Sequence, residues 1–137
     1  MQTYWFVDAN GNGLPQGYVL KFPSLTNHEA IIDYTCYGEQ VLLEKSKKYR
    51  MPTVTNPEEY RDIPFVISRI PTSAGHALRI VQHAYSEIEA GAPWTLFDNC
   101  QDFVSRAYKG KNGSSTRDFI FGLCALGLLV TVAVNSK

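Results

Sequence analysis

The stretch HEAIIDYTCYGEQVLLEK, residues 28–45, decides the fold because it predicts two strands joined by a tight turn. Small or apolar residues alternate with the acidic Glu29 and Asp33, which is the period of two of a half-buried strand. Residues 28–35 and 40–45 are the predicted strands, and Gly38 marks the turn between them. The two segments therefore predict an antiparallel hairpin.

One face of this hairpin carries polar side chains that need partners. His28 shares a face with Ala30 and Ile32, and we expect a helix to cover that face. On the second strand, Glu44 shares a face with Leu42, and the turn places it opposite the first residues of the preceding strand. Because a carboxylate on a core face needs a polar partner, we expect Glu44 to contact His28.

Strands come first along the chain and helices follow, which predicts an α+β fold with an antiparallel sheet. Further strands are predicted at residues 4–8, 17–22 and 64–70, and the prolines at 52, 57 and 64 predict a loop before the last of them. Helical spacing of apolar residues predicts a helix over residues 72–90, with His76 and His83 on its polar face. Its predicted inward face consists of Ala74, Ala77, Leu78, Val81, Ala84, Tyr85 and Ile88.

Cys100 begins a second predicted helix, CQDFVSRAY, for which Asp98 or Asn99 is a good N-cap. Helical spacing places Cys100 on a buried face with Phe103, Val104, Ala107 and Tyr108. The unpaired N–H groups and the dipole of a helix N-terminus stabilise a thiolate, which is the form that acts as a nucleophile. A buried structural cysteine also suits this position, so the local pattern leaves both interpretations open.

A thiolate nucleophile needs an imidazole that takes and returns a proton. His28 is the candidate base, because His76 and His83 lie on the polar face of their helix. A third polar group commonly orients the imidazole, and Glu44 has the position for that role. A strand histidine with satisfied hydrogen bonds is also an ordinary core residue, so the pairing with Cys100 is what makes His28 a candidate base.

The composition is typical of one globular domain. The chain has 137 residues, of which 45% are hydrophobic and 19% charged, which leaves room for a single core. Thirteen basic residues balance thirteen acidic ones, which argues against nucleic acid as a partner. Three cysteines are too few and too scattered for a disulfide framework or a zinc site, and we expect no metal and no organic cofactor. Their odd number fits a reducing compartment.

One segment favours contact with a membrane, and a second segment is compatible with it. Residues 119–134, FIFGLCALGLLVTVAV, lack any charge and are hydrophobic all round, which favours a short membrane anchor. Such a run reaches only about 24 Å of a bilayer core of about 30 Å, so a core or partner-facing helix stays as the alternative. Lys109, Lys111 and Arg117 precede the run and predict that the domain is cytoplasmic. Residues 45–50 hold four basic side chains, typical of a solvated edge and less often of a contact with anionic lipid.

The segment NCQDFV, residues 99–104, resembles the N-C-x-x-F-V motif of the lecithin–retinol acyltransferase family, a circularly permuted branch of the NlpC-type papain-like fold. The histidine strand precedes the cysteine helix, as in that permuted order. GYVLKF at residues 17–22 and WTL at residues 94–96 resemble the family's flanking segments. Tyr108-Lys-Gly, Arg117-Asp118 and the apolar tail resemble the phospholipid acyltransferases of the HRAS-like suppressor subgroup.

This resemblance implies a thiol-dependent phospholipase or acyltransferase that forms an acyl-thioester on Cys100, with His28 as base and membrane glycerophospholipids as substrate. It divides the chain into a catalytic domain at residues 1–113 and a membrane-anchor segment at residues 114–137. In this family an aromatic residue usually follows the histidine, where this chain has Glu29. Members of the subgroup have a second histidine on the next strand, where this chain has Glu44. A papain-like cysteine peptidase or amidase, or a catalytically inactive membrane-tethered interaction module, therefore remain alternatives.

Overall fold

The predicted hairpin forms two adjacent strands inside a larger sheet. The computed structural model describes residues 5–109, which form an α+β fold with one antiparallel five-stranded sheet and two α-helices. The strands are β1 (Val19–Phe22), β2 (His28–Tyr34), β3 (Gln40–Lys45), β4 (Pro52–Thr55) and β5 (Val66–Arg69). The helices are α1 (Ala74–Ala90) and α2 (Cys100–Lys109). The strands pair in the order β4-β3-β2-β1-β5, so β2 is the central strand.

The turn and the alternation of residues account for the β2–β3 hairpin. Ile31 pairs with Leu43, and the Thr35 N–H donates to the Glu39 carbonyl at 2.9 Å to close the turn. Gly38 has a φ of 79°, in the left-handed region that glycine adopts without a steric penalty. The hairpin predicted at residues 28–45 is therefore confirmed.

Two other expectations about the strands are wrong. Of the strand predicted at residues 4–8, the described part forms only an isolated bridge between Val7 and Gly13, because the chain turns back at once around Asp8. The Asp8 carboxylate accepts the N–H groups of the next residues and so stabilises that turn. The predicted loop after residue 45 contains a strand, β4, that begins at Pro52. Proline is compatible with the first position of an edge strand, where its missing N–H costs no ladder hydrogen bond.

Both faces of the sheet are covered, but by different parts of the chain. The helices pack on the face of Val19, Ile31 and Leu43, to which they contribute the buried residues Ile80, Val81, Ala84, Phe103, Val104 and Ala107. The opposite face packs against the N-terminal segment and the segment after β4, in a cluster of Phe6, Leu14, Leu20, Phe22, Ala30, Ile32 and Leu42 with Tyr60, Ile63 and Phe65 at its border. His28 alternates with Ala30 and Ile32 on this second face, so the expectation that a helix covers the His28 face is wrong.

Helix α1 is confirmed, but the buried face differs from the predicted one. Ser73 caps its N-terminus by accepting the His76 N–H, and Gly91 ends it with a φ of 69°. Leu78 is 45% exposed, whereas Ile80 is fully buried. The difference arises because α1 packs against α2 as well as against the sheet, which rotates the buried stripe around the helix axis.

The two histidines of α1 are half-buried, not solvated as predicted. His76 Nδ1 accepts the Thr72 N–H, and its Nε2 lies 3.2 Å from the Tyr108 carbonyl oxygen on α2. His83 Nε2 lies 2.9 Å from the Glu87 carboxylate. Both side chains therefore contribute to the contacts of α1, and neither contacts Cys100.

Helix α2 begins as its sequence predicts. The Asn99 side-chain oxygen accepts the N–H groups of Gln101 and Asp102, and the Asp102 carboxylate accepts the Asn99 N–H in return. This reciprocal pair is a capping box, and it sets the first turn of the helix at Cys100. The predicted inward face is confirmed, since Cys100, Phe103, Val104 and Ala107 are buried.

The predicted anchor segment at residues 119–134, and the domain boundary near residue 113, lie outside the described residues. Within residues 5–109, neither helix combines the length and the apolar character that a membrane span requires.

Candidate active site

His28 is the first residue of β2 and lies in an aromatic environment. It pairs with Phe22 across the β1–β2 ladder, and its ring stacks with those of Phe22 and Tyr60 at centroid distances of 6.2 and 5.8 Å. Its exposed fraction is only 9%. The ring is therefore held in one orientation by packing, as a base with a defined direction of proton transfer requires.

Glu44 lies in the interior of the protein and contacts the imidazole of His28. Its Oε1 is 3.1 Å from His28 Nε2, as the sequence led us to expect. The hydroxyl groups of Thr55 and Tyr60 also donate to this carboxylate. Three donors therefore surround a fully buried carboxylate, which compensates the loss of its hydration.

Thr55 and Tyr60 are site residues that the sequence interpretation missed. Thr55 is the last residue of β4, and Tyr60 ends the 3-10 turn Pro57–Tyr60. Both belong to the segment that the prolines predicted as a loop. The Tyr60 oxygen also lies 3.2 Å from His28 Nε2. Burial, followed by the charge of Glu44, raises the pKa of Tyr60, so its hydroxyl keeps its proton and stays a donor.

The two ring nitrogens of His28 have different surroundings. Nε2 is engaged by Glu44 and Tyr60, which leaves Nδ1 as the nitrogen available to Cys100. Burial by itself lowers the pKa of His28, but hydrogen bonds to Cys100 and Glu44, together with their charges, raise it to about 9. The imidazole is therefore protonated at neutral pH between two groups that carry or can carry negative charge.

Cys100 lies near the end of β2 that carries His28, although α2 packs on the other face of the sheet. The reason is position: Cys100 is the first residue of α2, and the Gln101 side-chain amide donates to the Asn27 carbonyl at 3.3 Å, directly before β2. The helix N-terminus is thus held at the end of the strand on which His28 lies. The thiol is free and 8% exposed.

A network of charged side chains fixes the chain that leads into Cys100. Arg106 of α2 donates to the Glu87 carboxylate of α1 through two nitrogens, and its Nη2 also donates to Asp98 at 2.7 Å. The fully buried Lys45 ammonium lies 3.0 Å from the other Asp98 oxygen, and His83 pairs with Glu87. Partial burial tends to raise the pKa of Asp98, but the contacts with Arg106 and Lys45 outweigh burial and lower this pKa below its ordinary value. This network links both helices and β3 to a residue two positions before the thiol.

Gln40 and the other histidines have structural roles. The Gln40 side chain accepts the N–H groups of Trp5 and Phe6 and donates to the Phe6 carbonyl, which ties the N-terminal segment to β3. His76 contacts the Tyr108 carbonyl of α2, and His83 pairs with Glu87 on its own helix. Within the described residues, no group of three histidine, cysteine or acidic side chains is arranged to hold a metal ion.

Comparison of the chain with protein-family models found no match, and comparisons with curated proteins and with solved structures found none either.

The geometry of these residues is compatible with nucleophilic catalysis. The cysteine lies at a helix N-terminus, and an imidazole at the neighbouring strand end has a carboxylate behind it. Nucleophilic catalysis uses such a set as nucleophile, base and orienting group. The structure brings two of the residues that the sequence singled out, His28 and Glu44, into direct contact. It places the third, Cys100, in the first turn of α2, beside the start of β2 where His28 lies.

Proposed function

We propose that this protein is a cysteine-nucleophile acyl hydrolase or acyltransferase, similar to the lecithin–retinol acyltransferase family, that acts on membrane glycerophospholipids. The observation that carries the proposal is the buried contact of His28 with Glu44 at the end of β2, where the N-terminus of α2 places Cys100. Such an arrangement costs desolvation free energy, because three ionisable groups are removed from water together. A purely structural cysteine needs neither a histidine nor a carboxylate behind it.

Each residue has a defined role in the proposed reaction. His28 holds the proton of the Cys100 thiol, and the thiolate attacks the carbonyl carbon of an acyl ester. The Cys100 backbone N–H, at the helix N-terminus, is the natural donor to the oxygen that becomes negative. The C–O bond then breaks, His28 returns its proton to the departing alcohol oxygen, and a thioester remains on Cys100. Water or an amine gives a proton to His28 as it attacks the thioester, which releases the acyl product and the thiolate.

The choice of a lipid substrate rests on the sequence. The resemblance of residues 99–104 to the family motif and the uncharged run at residues 119–134 support a permuted NlpC-type domain tethered to a membrane with its catalytic domain in the cytoplasm. A hydrolase of soluble peptides has no evident need for such a run. No metal or organic cofactor enters the proposed steps.

The test is the detection of the thioester itself. The full chain is incubated with a phospholipid labelled in its acyl chain, quenched in acid and measured by intact mass. We expect one added acyl mass that maps to Cys100, which is absent from Cys100→Ala and strongly reduced in His28→Gln. His76→Gln is the matched control, because it removes a half-buried histidine that does not contact the thiol. Turnover of peptide amides with no lipid turnover would instead support the cysteine peptidase or amidase.

A further inference from the structure

The turn directly before Cys100 exposes two large apolar side chains at its tip. Thr95 and Asp98 form an isolated antiparallel bridge, with backbone hydrogen bonds of 3.0 and 3.2 Å, and Leu96 and Phe97 are the two residues between them. Leu96 is 79% exposed and Phe97 94% exposed. Two-residue turns favour asparagine, aspartate and glycine, so turn geometry does not account for leucine and phenylalanine here. We call this turn the apolar tip.

A basic loop lies beside the apolar tip. The Trp94 N–H donates to the Arg50 carbonyl at 2.8 Å, and the Lys47 ammonium lies 5.8 Å from the centre of the Trp94 ring. These contacts hold the β3–β4 loop, which carries Lys47, Lys48 and Arg50, against the tip segment. Met51, in the same loop, is 50% exposed and extends the apolar surface.

Two of the three cations in this loop are available to a partner. Lys48 is paired with Glu59 at 3.4 Å. Among residues 5–109, no carboxylate lies within ion-pair distance of Lys47 or Arg50, and both residues are exposed. The surface therefore combines protruding apolar side chains with uncompensated positive charge at their border.

We infer that the apolar tip and the basic loop dock the catalytic domain on the surface of a phospholipid bilayer that contains anionic lipid. Leucine and phenylalanine insert among the acyl chains near the headgroups, while lysine and arginine pair with the phosphates and other anionic groups above them. The choice of a bilayer as the occupant rests on the proposed function. The positive charge at the border supports this choice, because a purely apolar protein partner has no anionic group with which Lys47 and Arg50 could pair. Docking here brings the lipid surface to within three residues of the thiol.

The contacts of the tip also explain how docking acts on the site. Asp98 closes the turn and is held by Arg106 and Lys45, and Asn99 then caps α2. The tip is thus attached rigidly to the first turn of the catalytic helix. A bilayer that contacts Leu96 and Phe97 meets Cys100 in a fixed orientation, in addition to any tethering by another segment of the chain.

The experiment measures insertion directly and does not need turnover. The full chain carrying Phe97→Trp is added to vesicles of phosphatidylcholine and phosphatidylserine whose acyl chains carry bromine, which quenches tryptophan fluorescence on contact. The matched control is Val66→Trp, at a residue that is 51% exposed on β5, at the opposite edge of the sheet. Wild type supplies the background of the native tryptophans. We expect quenching of the tryptophan at position 97 and none at position 66.

The charges are tested in the same assay. In the Phe97→Trp background, Lys47→Gln and Arg50→Gln should each weaken binding to the anionic vesicles about fivefold. On vesicles of phosphatidylcholine alone, the two substitutions should not change binding. Three results contradict the proposed docking surface. One is equal fluorescence quenching of the tryptophans at positions 66 and 97. Another is no quenching at either position in protein that sediments with the vesicles. The third is burial of position 97 in a dimer detected by sedimentation without lipid.

The outcomes separate this inference from the proposed function. If position 97 is quenched but no acyl group is transferred to Cys100, the docking surface is supported and the proposed enzymatic function is contradicted. Thioester formation from vesicle lipid without quenching retains the enzyme and removes the docking surface. A Leu96→Ser/Phe97→Ser variant adds a third measurement: its turnover of vesicle lipid should fall at least tenfold more than its alkylation by iodoacetamide, which reports only on the thiol.

Discussion

Replacement of Glu44 by glutamine tests the core of the proposed site. The change keeps the size of the side chain and removes its charge. In the native protein, the hydrogen bonds and charges of Cys100 and Glu44 outweigh burial and hold the pKa of His28 at about 9. Without the carboxylate, burial opposes only the contribution of Cys100, so we expect the pKa of His28 to fall to near or below its ordinary value of about 6.5.

The pKa of His28 also determines how stability depends on pH. A histidine whose pKa is higher in the folded state stabilises the fold fully below its unfolded pKa, and this contribution is lost as pH rises through the folded pKa. For His28 the loss therefore falls between about pH 6.5 and about pH 9, and its size is on the order of 3 kcal/mol. In Glu44→Gln this decline should largely disappear. Turnover should fall about 10–100-fold, less than for removal of Cys100 or His28.

Two measurements check this prediction. The C–H resonances of the imidazole of His28 are followed against pH by NMR in the full chain, with His76→Gln and His83→Gln variants to assign the other two histidines. Alkylation of Cys100 by iodoacetamide is followed against pH in parallel, with Cys100→Ser as the blank. If His28 titrates at the same pH in both proteins and the alkylation curves superimpose, Glu44 does not act on His28.

Three further predictions concern the nucleophile, the charge network and the C-terminal segment. Cys100→Ala should lower turnover ~10³-fold or more, and residual activity above about one per cent contradicts its role as nucleophile. Arg106→Leu should lower the free energy of unfolding by about 1–3 kcal/mol at neutral pH, because it leaves Asp98 and Glu87 without their main partner. The difference from wild type should shrink in urea titrations below about pH 4, since both carboxylates have a lowered pKa in the folded state and their stabilisation is lost as pH falls. Deletion of residues 119–137 should reduce activity on vesicles far more than on a dispersed short-chain ester, whereas unfolding of the shortened chain would identify the segment as a core helix.

Local sequence was a sufficient guide for two elements whose physical cause is local. The β2–β3 hairpin follows from alternation and from Gly38, and the start of α2 follows from Asn99, whose side chain reaches N–H groups only two and three residues away. The contact between His28 and Glu44 was also predictable, because the turn sets the register and the register sets which side chains share a face.

Other parts of the site depend on contacts between distant segments. Thr55 and Tyr60 reach Glu44 only because β4 pairs with β3 and the following turn folds back over the sheet. From the prolines alone, local rules predict a loop here. The segment instead forms a strand because its backbone pairs with β3, which is a separate part of the chain. The same holds for Lys45, whose burial is possible because Asp98, far along the chain, supplies the opposite charge.

By itself, the sequence determined the β2–β3 hairpin, the capped helix at Cys100 and the pairing of His28 with Glu44. Only the tertiary structure decided which face of the sheet the helices cover, because Ile31 and Leu43 on one face are as apolar as Ala30, Ile32 and Leu42 on the other. The alternation of residue types predicts which side chains share one face of the sheet, but it does not predict which segment packs against that face. The helices pack on the Ile31 face, and the N-terminus of α2, with Cys100, lies at the end of the strand that carries His28.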